Sequence, residues 1–252
     1  MSASSVPSVP SSVPSTVPSP VPSPKTKNAQ TATNGNKAEA LLCSQPSVKS
    51  ALEGYFGKPI ASIALLGGRK KADHRITFVD GTSVLTQNKN GHCDGRGHSV
   101  DRRKATLLTA HAGLHTLLDS VCIKKAGERP VVEGAVGAEC VNLCLLGTDE
   151  ATRPDYFMHT EMDPTNSHIT HLALLPATAF LASVEADLFP AMDVKRTCVH
   201  LSPHLYFQRK GGGKTDHAPD DIQLKLRFSP KASRAIPHPT DLFALFTVLS
   251  LA

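Results

Sequence analysis

The sequence predicts an α/β layer fold preceded by a disordered tail. After about residue 36, segments with helical hydrophobic spacing alternate with strand-like segments and a hairpin, which is typical of helices packed on a sheet. Residues 1–36 instead hold a V-P-S-rich run and a polar run, and proline lacks the N–H that regular structure needs. We therefore expect a disordered tail at 1–36 and a single α/β domain at 37–236, with a core at 47–125, an elaboration at 126–236 and an apolar C-terminal segment at 237–252.

The first half of the domain is predicted to run helix, strand, hairpin, helix. Residues 37–56 are predicted to form a helix in two pieces, because Pro46 interrupts it and Ser47 can cap the second piece. Residues 58–68 are expected to be a buried strand, and residues 73–89 a hairpin. Residues 99–122 repeat apolar side chains at helical spacing and are predicted to be one helix, with Ser99 or Asp101 as its cap.

The second half is predicted to hold further strands and one helix. The short apolar run at 137–147 predicts a strand, and residues 168–189 a strand followed by a helix. Residues 195–210 and 220–228 alternate like strands on either side of a glycine-rich segment. The C-terminal LFALFTVLSLA is expected to be a core helix or strand.

Several features bear on the compartment. The N-terminus lacks the basic region and apolar core of a signal peptide, and no run approaches the about 18 apolar residues of a membrane span. Six cysteines occur without a C-x-x-C pair, which favours reduced thiols over a secreted disulfide framework. We expect an intracellular protein of the nucleus or cytoplasm, with no membrane partner.

Basic side chains are clustered, on a chain of formal net charge +5. Each cluster taken alone is compatible with a solvated surface, but three of them beside glycine-rich turns favour contact with phosphates. The nucleic-acid-binding candidates are Arg69, Lys70, Lys71, Arg102, Arg103, Arg209, Lys210 and Lys214.

The turn at Asp80-Gly81 decides which side chains of the hairpin meet. A two-residue turn would place Asp73 opposite Asn88. A three-residue loop closed by Gly81 in a left-handed conformation would pair Asp73 with Gln87 and leave Lys89 on the same face. The second register is predicted, because it collects these polar side chains in one cluster.

Such a cluster suits a hard divalent cation, Mg²⁺ or Mn²⁺. Asp73 supplies a charged oxygen ligand, and the Gln87 amide oxygen or a nearby backbone carbonyl supplies a second. Lys89 can orient and deprotonate a water or neutralise charge on a phosphate. Glu53, on the preceding helix, is predicted to be another metal contact.

The stretch from Asp73 to the triplet Gln87-Asn88-Lys89 resembles the core of the PD-(D/E)xK, or restriction-endonuclease-like, nuclease superfamily. In that core an acid-bearing helix is followed by a strand, an aspartate that opens a hairpin, and an acid-x-lysine triplet. The resemblance covers roughly residues 47–125 and implies a mixed central sheet flanked by helices. It also implies magnesium-dependent phosphodiester hydrolysis, with Asp73 as metal ligand and Lys89 as catalytic lysine. Gln87 departs from the acid of many members, although branches resembling the Mrr type of restriction enzyme also use glutamine.

Two functions follow from this pattern. The first is a metal-dependent endonuclease that hydrolyses phosphodiester bonds in DNA. The alternative is a catalytically inactive fold that binds nucleic acid or a protein, with the Pro-rich tail recruiting a protein partner. A second triplet, Gln208-Arg209-Lys210 with Asp193 before it, competes for the site but lacks an Asp-Gly turn.

Overall fold

The fold is taken from a computed structural model that describes residues 27–67, 70–91, 98–104, 111–122, 131–186, 188–195, 198–202, 205–209, 221–226 and 245–251. The helices are α1 (Lys27–Ser44), α2 (Pro46–Phe56), α3 (Ala112–Cys122), α4 (Gly134–Leu146) and α5 (Ala177–Ala186). The strands are β1 (Ile60–Leu65), β2 (His74–Phe78), β3 (Ser83–Asn90), β4 (His98–Lys104), β5 (Tyr156–Met162), β6 (Ile169–Pro176), β7 (Asp193–Lys195), β8 (Cys198–His200), β9 (Leu205–Arg209), β10 (Asp221–Leu226) and β11 (Thr247–Ser250).

The described strands form two sheets. The first has the order β1-β2-β3-β5-β6-β11 and is mixed, because β3 and β5 run parallel while its other neighbours are antiparallel. The second, β4-β10-β9-β8-β7, is antiparallel throughout. The predicted α/β class with a mixed central sheet and flanking helices is confirmed.

Two apolar layers enclose the mixed sheet. One lies beneath α1 and α2 and is centred on Leu42, Leu52 and Ile76. The other joins the opposite face of the sheet to α3, α4, α5 and the second sheet, and it includes Phe180 and Phe207. Strands β5 and β6 of the mixed sheet are therefore covered on both faces, and buried polar groups within the sheet need partners or a function.

The N-terminal helices differ from the expectation in two details. Helix α1 begins at Lys27, within the segment 1–36 that was expected to be a tail; proline is absent between residues 25 and 45, and a helix is free to form there. Residues 1–26 lie outside the described residues. The break at Pro46 is confirmed, but the N-cap is Gln45 and not Ser47, because Pro46 occupies the first helical position, where its missing N–H has no consequence.

Strand β1 was expected to be buried and is an edge strand. Of its six residues only Ile60 is buried, and Leu65 is 52% exposed. Ile60 and Ile63 contribute to the apolar layer beneath α1 and α2, and among the described residues no strand pairs with the outer edge of β1.

Two predictions of helix and strand were wrong. Residues 98–104 form strand β4, which pairs with β10 more than a hundred residues later, and of the predicted helix the described residues contain α3. The run at 137–147 belongs to helix α4 and not to a strand. Its buried residues have helical spacing, and short apolar runs are ambiguous between the two structures. In the described segments no helix has both the length and the apolar character required to cross a membrane.

The later strands and the final helix follow the prediction. Residues 168–189 hold β6 and α5, and the alternating segments form β8, β9 and β10. The C-terminal segment forms β11, which completes the mixed sheet beside β6. The glycine-rich segment 211–219 lies outside the described residues.

Candidate functional site

The β2–β3 hairpin has the register that the three-residue loop predicts. Gly81 closes the loop with φ +83°, and its N–H donates to the Phe78 carbonyl at 3.0 Å. The Phe78 N–H donates to the Thr82 carbonyl at 2.8 Å, and His74 pairs with Thr86. One step beyond that pair, the register places Asp73 opposite Gln87.

Asp73 and Lys89 converge at the open end of this hairpin. The Lys89 ammonium lies 3.7 Å from Asp73 Oδ2, and the same oxygen accepts the Asn88 N–H at 2.7 Å. The backbone of Asp73 is fixed as well, because its N–H donates to Thr86 and its carbonyl accepts from Leu66. The side chains of Asp73 and Lys89 are 24% and 32% exposed, so an ion or a phosphate can reach both.

Gln87 presents an unused oxygen beside this pair. The residue is 4% exposed, and Gln87 Oε1 has no hydrogen-bond partner within the described part of the chain. Gln87 and Lys89 line a narrow cavity with His159, which is the neighbour of Lys89 on the parallel strand β5, and with Phe246, whose ring lies 5.3 Å from the imidazole. A buried carbonyl oxygen without a partner, on a residue that lines a cavity, can bind a cation or a water.

Helix α1 adds a carboxylate that sequence reasoning missed. Burial raises the pKa of Glu39, the negative charge of Asp73 raises it further, and the positive charge of Lys89 lowers it. Glu39 is thus close enough to both groups to sense their charges. The sequence held one sign of this: Glu39 adjoins Ala38 and lies one turn before Leu42, and both apolar residues are buried.

The structure does not bring Glu53 to the cluster. Its Oε1 accepts the N–H of Ile60 at 2.8 Å and lies 3.9 Å from the Lys49 ammonium. Ile60 pairs with Phe78 at the turn end of the hairpin, opposite the end that holds Asp73. The predicted metal contact through Glu53 does not fit this placement; Glu39 is the helical acid near Asp73.

The face of the mixed sheet that α1 covers also carries buried polar side chains, at the same end of the hairpin as Asp73. His74, Thr86 and Asn88 are each at most 3% exposed. Burial lowers the pKa of His74, although its contact with the Glu39 carbonyl and the charge of Asp73 oppose the shift. The His74 imidazole is therefore neutral near pH 7, and its Nε2 lies 3.2 Å from the Glu39 carbonyl oxygen.

The oxygen atoms near Asp73 are of the kind that a hard cation binds. Asp73 and Glu39 would supply carboxylate oxygens to such a cation and Gln87 its unused amide oxygen, and the cation would offset the repulsion between the two carboxylates. Protein side chains provide few ligands here, since the described residues contain no group of three His, Cys, Asp or Glu able to hold a metal. Such a site suits Mg²⁺, which keeps several water molecules as ligands, better than it suits an ion whose ligands all come from the protein.

The basic residues predicted to bind nucleic acid differ in their exposure and position. Lys70 is exposed, but Lys71 is 8% exposed and its ammonium donates to the Cys144 carbonyl of α4, so Lys71 is not a surface phosphate contact. Arg103 on β4 and Arg209 on β9 both pair with Ile222 of β10, which sets their backbones about 10 Å apart across the sheet. Arg102 is adjacent on β4. Arg69, Lys210 and Lys214 lie outside the described residues.

The competing triplet does not form an equivalent cluster. Asp193 pairs with His200, which pairs in turn with Tyr206, whereas Gln208 pairs with Cys198. Asp193 and Gln208 are therefore offset along the sheet and separated by strand β8. Lys210 lies outside the described residues.

No protein-family model matches the sequence, and no curated protein matches it. Among solved structures, the restriction endonuclease MspI in complex with its cognate DNA is similar, with 11% identity over 71% of this chain and 76% of that chain. The TM-score of this pair is 0.38, a weak similarity that carries no weight for fold or function.

Proposed function

We propose that the protein is a magnesium-dependent nuclease that hydrolyses phosphodiester bonds in DNA, with its active site at the open end of the β2–β3 hairpin. The single observation that carries the proposal is the convergence of the Asp73 carboxylate and the Lys89 ammonium, 3.7 Å apart and open to solvent. Their sequence spacing resembles the PD-(D/E)xK pattern. The Asp-Gly loop sets the strand register that brings them together, and this loop conformation does not depend on the two charged side chains.

Each residue of the proposed site has a role that follows from its side-chain chemistry. Asp73, Glu39 and the Gln87 amide would hold the cation, which supplies charge stabilisation at the phosphate and a more acidic water. Lys89 binds a phosphate oxygen or orients the attacking water, because its ammonium stands beside the carboxylate without being buried. The Asn88 N–H fixes the Asp73 carboxylate at 2.7 Å and limits its rotation.

DNA is the proposed substrate because the basic positions offer contacts beyond the cutting site. Lys70 is exposed three residues before Asp73, and Arg102, Arg103 and Arg209 occupy strands β4 and β9, which flank β10 in the second sheet. Lysine and arginine at such spacing neutralise phosphates along a backbone and give salt-dependent affinity.

A second candidate function is DNA binding without cleavage. One observation favours it: the position that holds a carboxylate in many PD-(D/E)xK members holds Gln87, and this amide brings no charge to the cation. The same fold would then retain its basic surface and lose hydrolysis. The Pro-rich tail as a site for a protein partner also stays a proposal.

A cleavage assay separates the two functions. Purified protein is incubated with supercoiled plasmid and Mg²⁺ or Mn²⁺, alongside Asp73→Ala, Lys89→Ala and Glu39→Gln. The nuclease proposal expects nicking by the wild type, abolition by the first two variants and a reduction by the third. Plasmid retention in a gel shift without nicking, unchanged in all three variants, would support the binder and overturn the enzyme.

A matched control removes a lysine–aspartate pair elsewhere on the same hairpin. Lys58 and Asp80 form an exposed ion pair at 2.8 Å beside the turn, at the end of the hairpin opposite to the site. Lys58→Ala should cut as the wild type does. If Lys58→Ala abolished nicking as fully as Lys89→Ala, the loss would reflect damage to the hairpin and not to an active site.

A further inference from the structure

A group of buried polar atoms lies on the α1 side of the sheet, on the face opposite to the one that carries Gln87 and Lys89. His74 Nδ1, Thr86 Oγ1 and Asn88 Oδ1 each lack a hydrogen-bond partner within the described residues. Their residues are 0%, 0% and 3% exposed. Buried polar atoms in proteins are nearly always bonded to protein or to an ordered water, so three in one place indicate a ligand between them.

The strand register brings the three atoms together. His74 pairs with Thr86, so their side chains lie side by side on one face, with Cβ atoms about 5 Å apart. Asn88 is two residues farther along β3 and therefore shares that face. The Glu39 carbonyl of α1 closes one side, through its contact with His74 Nε2 at 3.2 Å.

The donors and acceptors can be assigned from the contacts that are made. A carbonyl oxygen accepts, so His74 Nε2 carries the proton and Nδ1 presents a lone pair. The Asn88 Nδ2 amide donates to Thr160 Oγ1 at 3.4 Å, so Asn88 Oδ1 is left as an acceptor. Thr86 contributes a hydroxyl that can donate. Two acceptors and one donor match a single water, which donates twice and accepts once.

We propose that one long-lived water molecule is bound between His74, Thr86 and Asn88, and that this water makes His74 a positioning residue for Glu39. The imidazole then joins α1, through the Glu39 carbonyl, to strand β3, through the water. Asn88 in turn donates its backbone N–H to Asp73, so the same network joins the two carboxylates from beneath the sheet. The binding of the water is independent of the nuclease proposal; only its consequence for cleavage rests on that proposal.

The test uses the full chain labelled with ¹⁵N, and Thr86→Val, Thr86→Ser and Thr77→Val. Valine has the shape of threonine without the hydroxyl, serine retains the hydroxyl, and Thr77 lies on the opposite face of β2 as a control. The wild type should show magnetisation transfer from a bound water to the side-chain amide of Asn88, and a single His74 tautomer protonated at Nε2. Thr86→Val should lose the water signal and raise the hydrogen-exchange rate of the Asn88 side-chain amide about tenfold. Thr86→Ser and Thr77→Val should behave as the wild type.

Three results would overturn the inference. The first is a wild type without a bound-water signal, the second is a His74 protonated at Nδ1, and the third is a Thr86→Val protein that keeps both the water and the protected amide. If the water is present while the wild type cuts no DNA, the inference stands and the nuclease proposal fails. If Thr86→Val loses the water and also nicks plasmid more slowly than Thr86→Ser, the positioning role of the network is supported as well.

Discussion

Replacing Gln87 by glutamate tests whether the site is built for a cation. Gln87 is 4% exposed, so the new carboxylate would be buried, opposite Asp73 on the neighbouring strand and two residues from Lys89. Several kcal/mol is the usual cost of burying one ion, and Lys89 offsets part of it. We expect Gln87→Glu to lower the free energy of unfolding by about 2 to 4 kcal/mol without metal.

Magnesium should reverse this loss. A ligand that binds only the folded state at a hundred times its Kd adds about 2.7 kcal/mol of stability, and the added carboxylate should tighten binding relative to the wild type. The assay is chemical denaturation with and without Mg²⁺, followed by circular dichroism. Gln208→Glu, in the competing triplet on β9, is the matched control, and we expect its stability to be indifferent to Mg²⁺.

If Mg²⁺ leaves Gln87→Glu as unstable as it is without metal, the oxygens around Asp73 do not form a cation site. If Mg²⁺ stabilises Gln87→Glu and Gln208→Glu alike, the effect is one of bulk ions on an added charge.

Three further predictions concern residues around the proposed site. Gly81→Ala should lower stability by about 1 to 2 kcal/mol in a denaturation experiment, because φ is +83° there, and Gly81→Asn should be milder. Gln45→Ala should lower stability by about 1 to 3 kcal/mol, since its side-chain amide bonds both the N–H and the carbonyl of Ile169 in β6; an unchanged midpoint would contradict this. Lys71→Met should alter stability with little change in DNA affinity, whereas Lys70→Ala should weaken DNA binding in a filter assay and leave stability unchanged; the reverse pattern would refute the assignment of Lys71 to α4.

The parts of the site that could be predicted from the sequence depend on local chemistry. Gly81 after Asp80 specifies the loop, the loop specifies the register, and the register places Asp73 by Gln87. Each step involves residues fewer than twenty positions apart. The charge pattern and the turn therefore contained enough information to place the pair.

The parts that could not be predicted depend on distant partners. Strand β4 is polar and basic, and it is a strand only because β10 pairs with it. The choice between Glu39 and Glu53 depends on which end of the hairpin each helix reaches, and tertiary packing of α1 and α2 decides that. Helix α4 contributes residues to the apolar cluster that contains residues of both sheets and is apolar over much of its surface, so its short apolar run was mistaken for a strand.

A crystal soaked in manganese would show directly whether a cation binds at the open end of the β2–β3 hairpin, through anomalous scattering. We expect a peak within about 2.0 to 2.2 Å of an Asp73 carboxylate oxygen, with Glu39 or Gln87 as a further ligand and Lys89 beside it. A fully soaked crystal without a peak there, in which Asp73 Oδ2 is still held by the Asn88 N–H and the Lys89 ammonium, would contradict it.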